Sequence, residues 1–280
     1  MELSTFQWIQ YKSRQIGLYG LRKLSAIKRS PITSVPDNSM GEFQPGMLLT
    51  DKQIDLVNEQ IDWAAFTCLP DGRRIGKPFH NSKRSRQDFM TDSRIDRLNE
   101  IFGLNGKRVT ELGSFEGIHS TVLASFNCDV NAVDARPINL AKSAVRASLY
   151  GKNIRLTLCD LDNIDQLRAF IERKLLDCDV LVSIGVLYHL LNPVEHLELM
   201  FRCTHTGVLL DTHVAESDDE LRNEFGLADP FSGTNFRSLW LSADRIIKIA
   251  NENRFEIVGE KLIRSERNGT RATFYFQKKD

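Results

Sequence analysis

Between Lys107 and His213 the chain alternates short extended apolar runs with stretches of helical periodicity, five times in succession. The extended runs are Lys107-Arg-Val-Thr110, Asp129-Val-Asn-Ala-Val133, Ile154-Arg-Leu-Thr-Leu158, Val180-Leu-Val-Ser-Ile184 and Gly207-Val-Leu-Leu210. Parallel strands need a crossover connection between them, usually a helix. Alternation this regular argues for a parallel sheet with both faces covered.

The first strand leads into Glu111-Leu-Gly-Ser-Phe-Glu-Gly117. Gly113 and Gly117 bracket a tight loop, and Ile118, Val122 and Leu123 recur after it at helical spacing, to about Phe126. Strand, glycine turn and helix is where open α/β sheets bind nucleotide-like ligands. The dinucleotide fingerprint G-x-G-x-x-G is excluded, because Phe115 stands where it needs glycine. The second strand closes on Asp134, about 20 residues past the turn, where a carboxylate can accept hydrogen bonds from ribose hydroxyls. Pro137 permits a helix start, and Ile138–Tyr150 fits one. The third strand ends in Cys159-Asp-Leu-Asp162 ahead of a helix over Ile164–Leu176. The fourth runs into Gly185-Val-Leu-Tyr-His-Leu-Leu-Asn-Pro193, and the fifth into Asp211-Thr-His213.

The flanks differ in character. Residues 1–30 read as a basic amphipathic helix, with Lys12, Arg14, Arg22, Lys23, Lys28 and Arg29 against Glu2 alone. Such an arm lies on a membrane surface, docks on a partner or second subunit, or packs on its own domain. Prolines and glycines make 30–46 a linker, and a helix is predicted over Asp51–Thr67. Pro70-Asp71-Gly72 is a turn at the tip of a short hairpin or lid. A second basic cluster comes next (Arg73, Arg74, Lys77, His80, Lys83, Arg84, Arg86), either steering an anionic substrate or forming a solvated loop. Thr91 or Asp92 caps a helix carrying Ile95, Leu98, Ile101 and Phe102, which Asn105-Gly106 ends. Near the C-terminus, Glu216–Trp240 is too long for a simple connection and suits a lid or substrate loop. Ser242 caps a helix through Ala250, and Phe255–Val258 and Arg271–Phe276 flank an Asn268-Gly269 hairpin turn.

Lys plus Arg and Asp plus Glu are equal at 37 each, so no global charge draws the chain to nucleic acid. Five scattered cysteines with no C-x-x-C pair suit a reducing cytosol better than disulfides or zinc. No apolar run approaches the roughly 20 residues of a membrane span, and no signal peptide is visible. The expectation is a cytoplasmic protein.

Taken in order, Glu111-x-Gly113-x-x-x-Gly117, Asp134, Asp160 and Ser183-Ile-Gly-Val-Leu-Tyr-His-Leu-x-x-Pro193 resemble the class I S-adenosylmethionine-dependent methyltransferases. The likeness covers about Gly106 to the C-terminus. The motifs Glu-Leu-Gly-x-x-Glu-Gly and Gly-Val-Leu-Tyr-His-Leu-x-x-Pro resemble a branch of bacterial small-molecule and glycan methyltransferases, and the second also resembles tRNA-uridine carboxymethyl-transferring enzymes. Phe115 is a departure, since many relatives carry glycine there.

The resemblance implies a Rossmann-like, seven-stranded, mostly parallel α/β sheet with a C-terminal antiparallel hairpin. The implied organisation is a helical arm and linker (1–50), a helical or lid segment (51–105) and the S-adenosylmethionine-binding domain (106–280). By position, the loop Gly113, Ser114, Phe115 and Gly117 would pass under the methionine part of the cofactor, with Glu111 near its amino group. Asp134 would hold the ribose, Ala135 and Arg136 would line the adenine, and Asp160 with Leu161 would meet its amino edge. Ser183, Gly185 and Tyr188 would wall the site where the methyl group leaves. His189 and His213 are the candidate general bases, each otherwise a structural histidine. Asp211 and Glu216 either bind substrate or brace a loop, and Phe231, Arg237 and Trp240 are substrate-wall or packing residues. No metal is required. The expected reaction is methyl transfer to oxygen or nitrogen of a small molecule or glycan sugar. The rival readings are an RNA-modifying enzyme and a non-catalytic binding subunit of the same fold, and a homo-oligomer through the basic arm is a further possibility.

Overall fold

The computed structural model describes residues 44–76, 91–217, 219–226, 229, 231–259, 262–266 and 269–280. The basic arm and most of the linker lie outside the described residues, as do Lys77, His80, Lys83, Arg84, Arg86 and Asn268.

Helix α1 (Asp51–Gln60) starts in a capping box, Thr50 Oγ1 accepting from Gln53 N while Gln53 Oε1 accepts from Thr50 N at 2.8 Å. It stops seven residues short of the predicted end. The backbone N–H groups of Ala64 and Ala65 donate to the Glu116 carboxylate, at 2.7 and 3.0 Å, instead of to helical carbonyls. Phe66–Cys68 is then strand β1, antiparallel to β2 (Arg74–Gly76), with Pro70-Asp71-Gly72 at the hairpin tip. Helix α2 (Ser93–Phe102) is capped by Asp92, as expected, but ends on Gly103 rather than Asn105-Gly106.

The expected alternation comes next: β3 (Arg108–Leu112), α3 (Ile118–Ala124), β4 (Asp129–Asp134), α4 (Pro137–Leu149), β5 (Arg155–Leu158), α5 (Ile164–Glu172), β6 (Cys178–Ile184), α6 (Pro193–Arg202) and β7 (Thr204–His213). The Glu216–Trp240 segment is not all loop, since β8 (Glu220–Asn223) and β9 (Arg237–Trp240) pair antiparallel within it. Helix α7 (Ala243–Glu252) precedes β10 (Phe255–Ile257), β11 (Leu262–Glu266) and β12 (Gly269–Lys278).

The main sheet runs β10-β12-β7-β6-β3-β4-β5, with β3 to β7 parallel and β12 antiparallel to β7. An unforeseen strand, β11, makes an eighth. It pairs with Gly269–Thr273 of β12, while β10 pairs with Phe276–Lys278 farther along the same edge. The strand that directly precedes β12 in the chain and pairs with its start is therefore β11, not the expected Phe255 strand.

Side chains alternate across each strand, so both faces are apolar. Val109, Val130, Val180, Val182 and Tyr275 meet Ile95 and Leu98 of α2 and Val122 of α3. Leu181, Phe274 and Phe276 meet Leu197 and Phe201 of α6 and Ile246 of α7. All five cysteines are free thiols, and among the described residues no helix is long and apolar enough to cross a membrane.

Candidate active site

Strand β3 lies between β4 and β6, so successive crossovers leave it in opposite directions. The crevice at the carboxyl ends of β3, β4 and β6 is thus a topological switch point, where open α/β sheets bind ligands. The glycine loop sits on it. Gly113 has φ +73°, and a Cβ there would stand 2.1 Å from Val186 Cγ2, in the segment after β6. Gly117, at φ +75°, heads α3 with its would-be Cβ 2.6 Å from Ser143 Cα in α4. The N–H groups of Gly113 and Ser114 both donate to the Val133 carbonyl. Phe115 also has positive φ, +50°, which is uncommon for a bulky residue. Its N–H donates to Asp134 Oδ2 at 2.8 Å, its carbonyl accepts from Ser143 Oγ, and its ring lies 5.3 Å from that of Phe231.

Two buried hydroxyls on this crevice, Ser114 Oγ after β3 and Ser183 Oγ in β6, have no hydrogen-bond partner among the described residues. Buried polar groups are almost always paired, so two unpaired hydroxyls at the ends of neighbouring parallel strands are unusual. Asp134 accepts from Phe115 N, Arg136 N and Asn139 Nδ2. Burial pushes its carboxyl above the ordinary value, while those three bonds oppose the shift. An ionised carboxylate offers about four acceptor positions, so room remains for a ligand hydroxyl.

The remaining expected contacts differ in burial and partner. Ala135 is half-buried at the mouth. The Arg136 guanidinium reaches across the crevice to the Asp229, Ser232 and Gly233 carbonyls. Asp160 is half-buried and accepts from Asp162 N and Thr234 Oγ1. The Leu161 side chain belongs to the core, and its carbonyl lies 3.3 Å from His196 Nδ1. Asp162 holds Leu191 N and Asn235 Nδ2. The segment between β8 and β9 is therefore fastened to the ends of β4 and β5 and roofs the crevice.

Glu111 is fully buried and accepts from Ser120 Oγ. Its other oxygen lies 3.3 Å from His119 Nδ1, and His119 Nε2 is 3.4 Å from Asp92. Burial works against a charge on His119, yet the hydrogen bonds to Asp92 and Glu111 outweigh it and push the pKa up to about 9. A raised folded-state pKa contributes stability that is full below the unfolded value, near 6.5, and is lost as pH rises through about 9. Urea unfolding of wild type and His119→Gln at pH 6 and pH 10 should show a gap that shrinks toward pH 10. A pH-independent gap would mean that His119 is not held charged.

At the end of β6, Gly185 N donates to the Asp211 carbonyl at 2.8 Å. The Asp211 side chain is fully buried and joined to Arg94, Arg264, Arg271 and Thr273. Burial alone would raise its pKa, but the arginines hold it below the usual carboxylate range. The Arg271 guanidinium lies 5.6 Å from the centre of the Tyr188 ring. His213 stacks on Trp240 at 5.1 Å, meets Tyr188 edge-on at 4.7 Å, and has Nδ1 3.3 Å from the Thr270 carbonyl. His213 is thus part of an aromatic wall. His189 is placed differently: its Nδ1 is 3.1 Å from Glu224 Oε2 in the roofing segment. Beyond the wall, a cavity of about 510 Å³ is lined by Val214, Glu216, Asp219, Arg222 and Trp240 among others.

Trp240 thus lines this cavity and Phe231 packs beside Phe115, while Arg237 is exposed. Of the second basic cluster, Arg73 is bound to Asp71 and Asp51, and Arg74 lies over Phe66. Among the described residues no group of three His, Cys, Asp or Glu side chains is arranged to hold a metal. The sequence reading missed His119, Glu116 and Glu224 as site-building residues. Glu116 carried a signal, its place in the Glu-Leu-Gly-x-x-Glu-Gly motif. Glu224, in a polar loop, carried none.

No protein-family model and no curated protein matches the chain. Solved structures do. The N-terminal domain of EvdMO1, determined in the presence of S-adenosylhomocysteine and D-fucose, superimposes with TM-score 0.64 at 18% identity, over 83% of this chain and 98% of that one. Magnesium protoporphyrin IX methyltransferase from Synechocystis PCC 6803, with bound S-adenosylhomocysteine, gives 0.51 at 18% identity over 67% and 81%. The 1,6-didemethyltoxoflavin-N1-methyltransferase of Burkholderia thailandensis gives 0.50 at 14% identity over 68% and 79%. The chain therefore has the Rossmann-like fold of these structures, with its own glycine loop at the switch point of the sheet.

Proposed function

We propose that the protein is an S-adenosylmethionine-dependent methyltransferase acting on an oxygen or nitrogen of a small molecule or glycan sugar. The observation that carries this reading is the cradle at the end of β3. There a loop that admits no Cβ at Gly113 or Gly117 lies beside two buried, unpaired hydroxyls and a carboxylate with spare acceptor capacity. Support also comes from the structural neighbours, two of which are methyltransferases, and from the D-fucose present with one of them.

Ser114 and Ser183 would hydrogen-bond the methionine part of the cofactor, Asp134 its ribose, and Ala135 and Asp160 would flank the adenine. Bound there, the cofactor supplies an activated methyl group. The chain's task is then to hold the acceptor in line and keep water out. Tyr188, His213 and Trp240 would form the wall beside the acceptor.

Calorimetry with S-adenosylhomocysteine tests this reading directly. Wild type should bind, and Asp134→Ala should weaken binding about tenfold or more, the value of a hydrogen bond to a charged group. No binding by the wild type, or equal binding by the variant, would count against the cofactor site.

A further inference from the structure

Glu224 lies in the segment joining β8 to β9, 35 residues from His189 in sequence. Its Oε2 sits 3.1 Å from His189 Nδ1 and accepts from Ser232 Oγ at 2.6 Å, while Oε1 accepts from Ser238 Oγ at 3.1 Å. Its backbone N–H is pinned to the Phe236 carbonyl at 2.8 Å. The carboxylate is thus fixed in position by its own loop and presents one oxygen to one ring nitrogen. A carboxylate can only accept, so the facing nitrogen must carry the proton. His189 Nε2 makes no hydrogen bond among the described residues. The segment Gly185–Pro193 that carries His189 comes directly after β6 and passes against Gly113 of the cradle.

We propose that Glu224 is a positioning residue that holds His189 as the Nδ1–H tautomer, so that Nε2 takes the proton of an acceptor hydroxyl. The proposal rests on the methyltransferase reading and narrows it to oxygen as the methylated atom. As the acceptor oxygen bonds to the methyl carbon, the carbon–sulfur bond breaks with its electron pair going to sulfur. The hydroxyl proton passes to His189 Nε2, and the resulting imidazolium faces Glu224. An amine acceptor attacks through a free lone pair and needs no such base in the bond-forming step. Hydrogen bonds from His189, Ser232 and Ser238 outweigh burial and hold the Glu224 carboxyl below its ordinary value, consistent with an ionised partner. Other titratable groups near His189 among the described residues include Tyr188, 4.1 Å away ring to ring, and His213 across the Tyr188 ring, with Arg271 over that ring.

The test is ¹⁵N-histidine NMR of the full chain from pH 5 to 9, with and without S-adenosylhomocysteine, the His189 signals being identified by their loss in His189→Gln. Wild-type neutral His189 should carry its proton on Nδ1, against the preference of free imidazole for Nε2–H. In Glu224→Ala the tautomer should revert to Nε2–H. Glu224→Gln should keep the Nδ1–H tautomer through its amide oxygen. An Nε2–H tautomer in the wild type overturns the proposal, as do identical spectra in wild type and Glu224→Ala. If Glu224→Ala does not fold, the wild-type tautomer alone decides. Calorimetry on the same samples separates the two readings. Wild type that shows the Nδ1–H tautomer but binds no S-adenosylhomocysteine refutes the methyltransferase function and the proton-transfer role with it, whereas binding with the wrong tautomer refutes only the role of Glu224.

Discussion

Glu116→Ala should cost about 3–5 kcal/mol of stability, the cost of breaking a buried ion pair by removing one partner. Glu116 and Arg146 are both fully buried. The Glu116 carboxylate accepts from the Ala64 and Ala65 backbones, Lys142 Nζ at 2.8 Å and Arg146 Nη2 at 3.4 Å. Arg146 also donates to the Glu116 and Ala65 carbonyls and to Thr67 Oγ1, and its guanidinium lies 4.6 Å from the centre of the Trp63 ring. Burial already lowers the Arg146 pKa to about 10 despite the neighbouring carboxylate. Without Glu116 that guanidinium loses its counter-charge, and two backbone donors lose their acceptor. Urea unfolding should show a lower midpoint with little change in slope. Glu116→Gln keeps an acceptor but not the charge, and should fall between wild type and alanine. A loss below about 1 kcal/mol for Glu116→Ala would mean the network carries no net stability. Because Glu116 directly precedes Gly117, affinity for S-adenosylhomocysteine should fall along with stability.

The second large effect is expected at Gly113. Alanine there meets two independent penalties. A non-glycine residue at φ +73° costs roughly 1–2 kcal/mol. A methyl 2.1 Å from Val186 Cγ2 is a hard overlap, and overpacking of this kind typically costs about 1–3 kcal/mol more. The overlap is relieved only if the loop or the segment after β6 moves, and both border the proposed cofactor cradle. Gly113→Ala should therefore reduce S-adenosylhomocysteine affinity at least 100-fold in calorimetry while the protein still folds. Val186→Ala removes the colliding methyl, so the double variant should recover the steric share and not the backbone share, a non-additivity that a double-mutant cycle measures. Unchanged affinity in Gly113→Ala would place the ligand elsewhere.

The alternation between Lys107 and His213 determined the architecture from sequence alone. The central strands carry apolar residues to both faces, and the intervening segments have one apolar stripe each, so few other arrangements bury them. Gly113, Gly117 and Asp134 were legible for a related reason. Positive φ at a closed turn and a carboxylate at a strand end are local requirements written into residue type and spacing. Asp51–Thr67 was misread because its last residues are governed by a distant acceptor. Ala64 and Ala65 have helical propensity, but Glu116 takes their N–H groups.

Tertiary structure alone decided how the charged side chains are paired. Nothing in the sequence joins His189 to Glu224, His119 to Asp92, or Asp211 to Arg94, Arg264 and Arg271, because each pair joins segments far apart in sequence whose packing no local periodicity describes. His189 and His213 looked alike as strand-end histidines. The fold separates them, setting His213 in a stacked wall against Trp240 and giving His189 a carboxylate from the roof. Local backbone demands are encoded where they act, whereas the partner of a buried charge is chosen by whichever segment the fold carries past it.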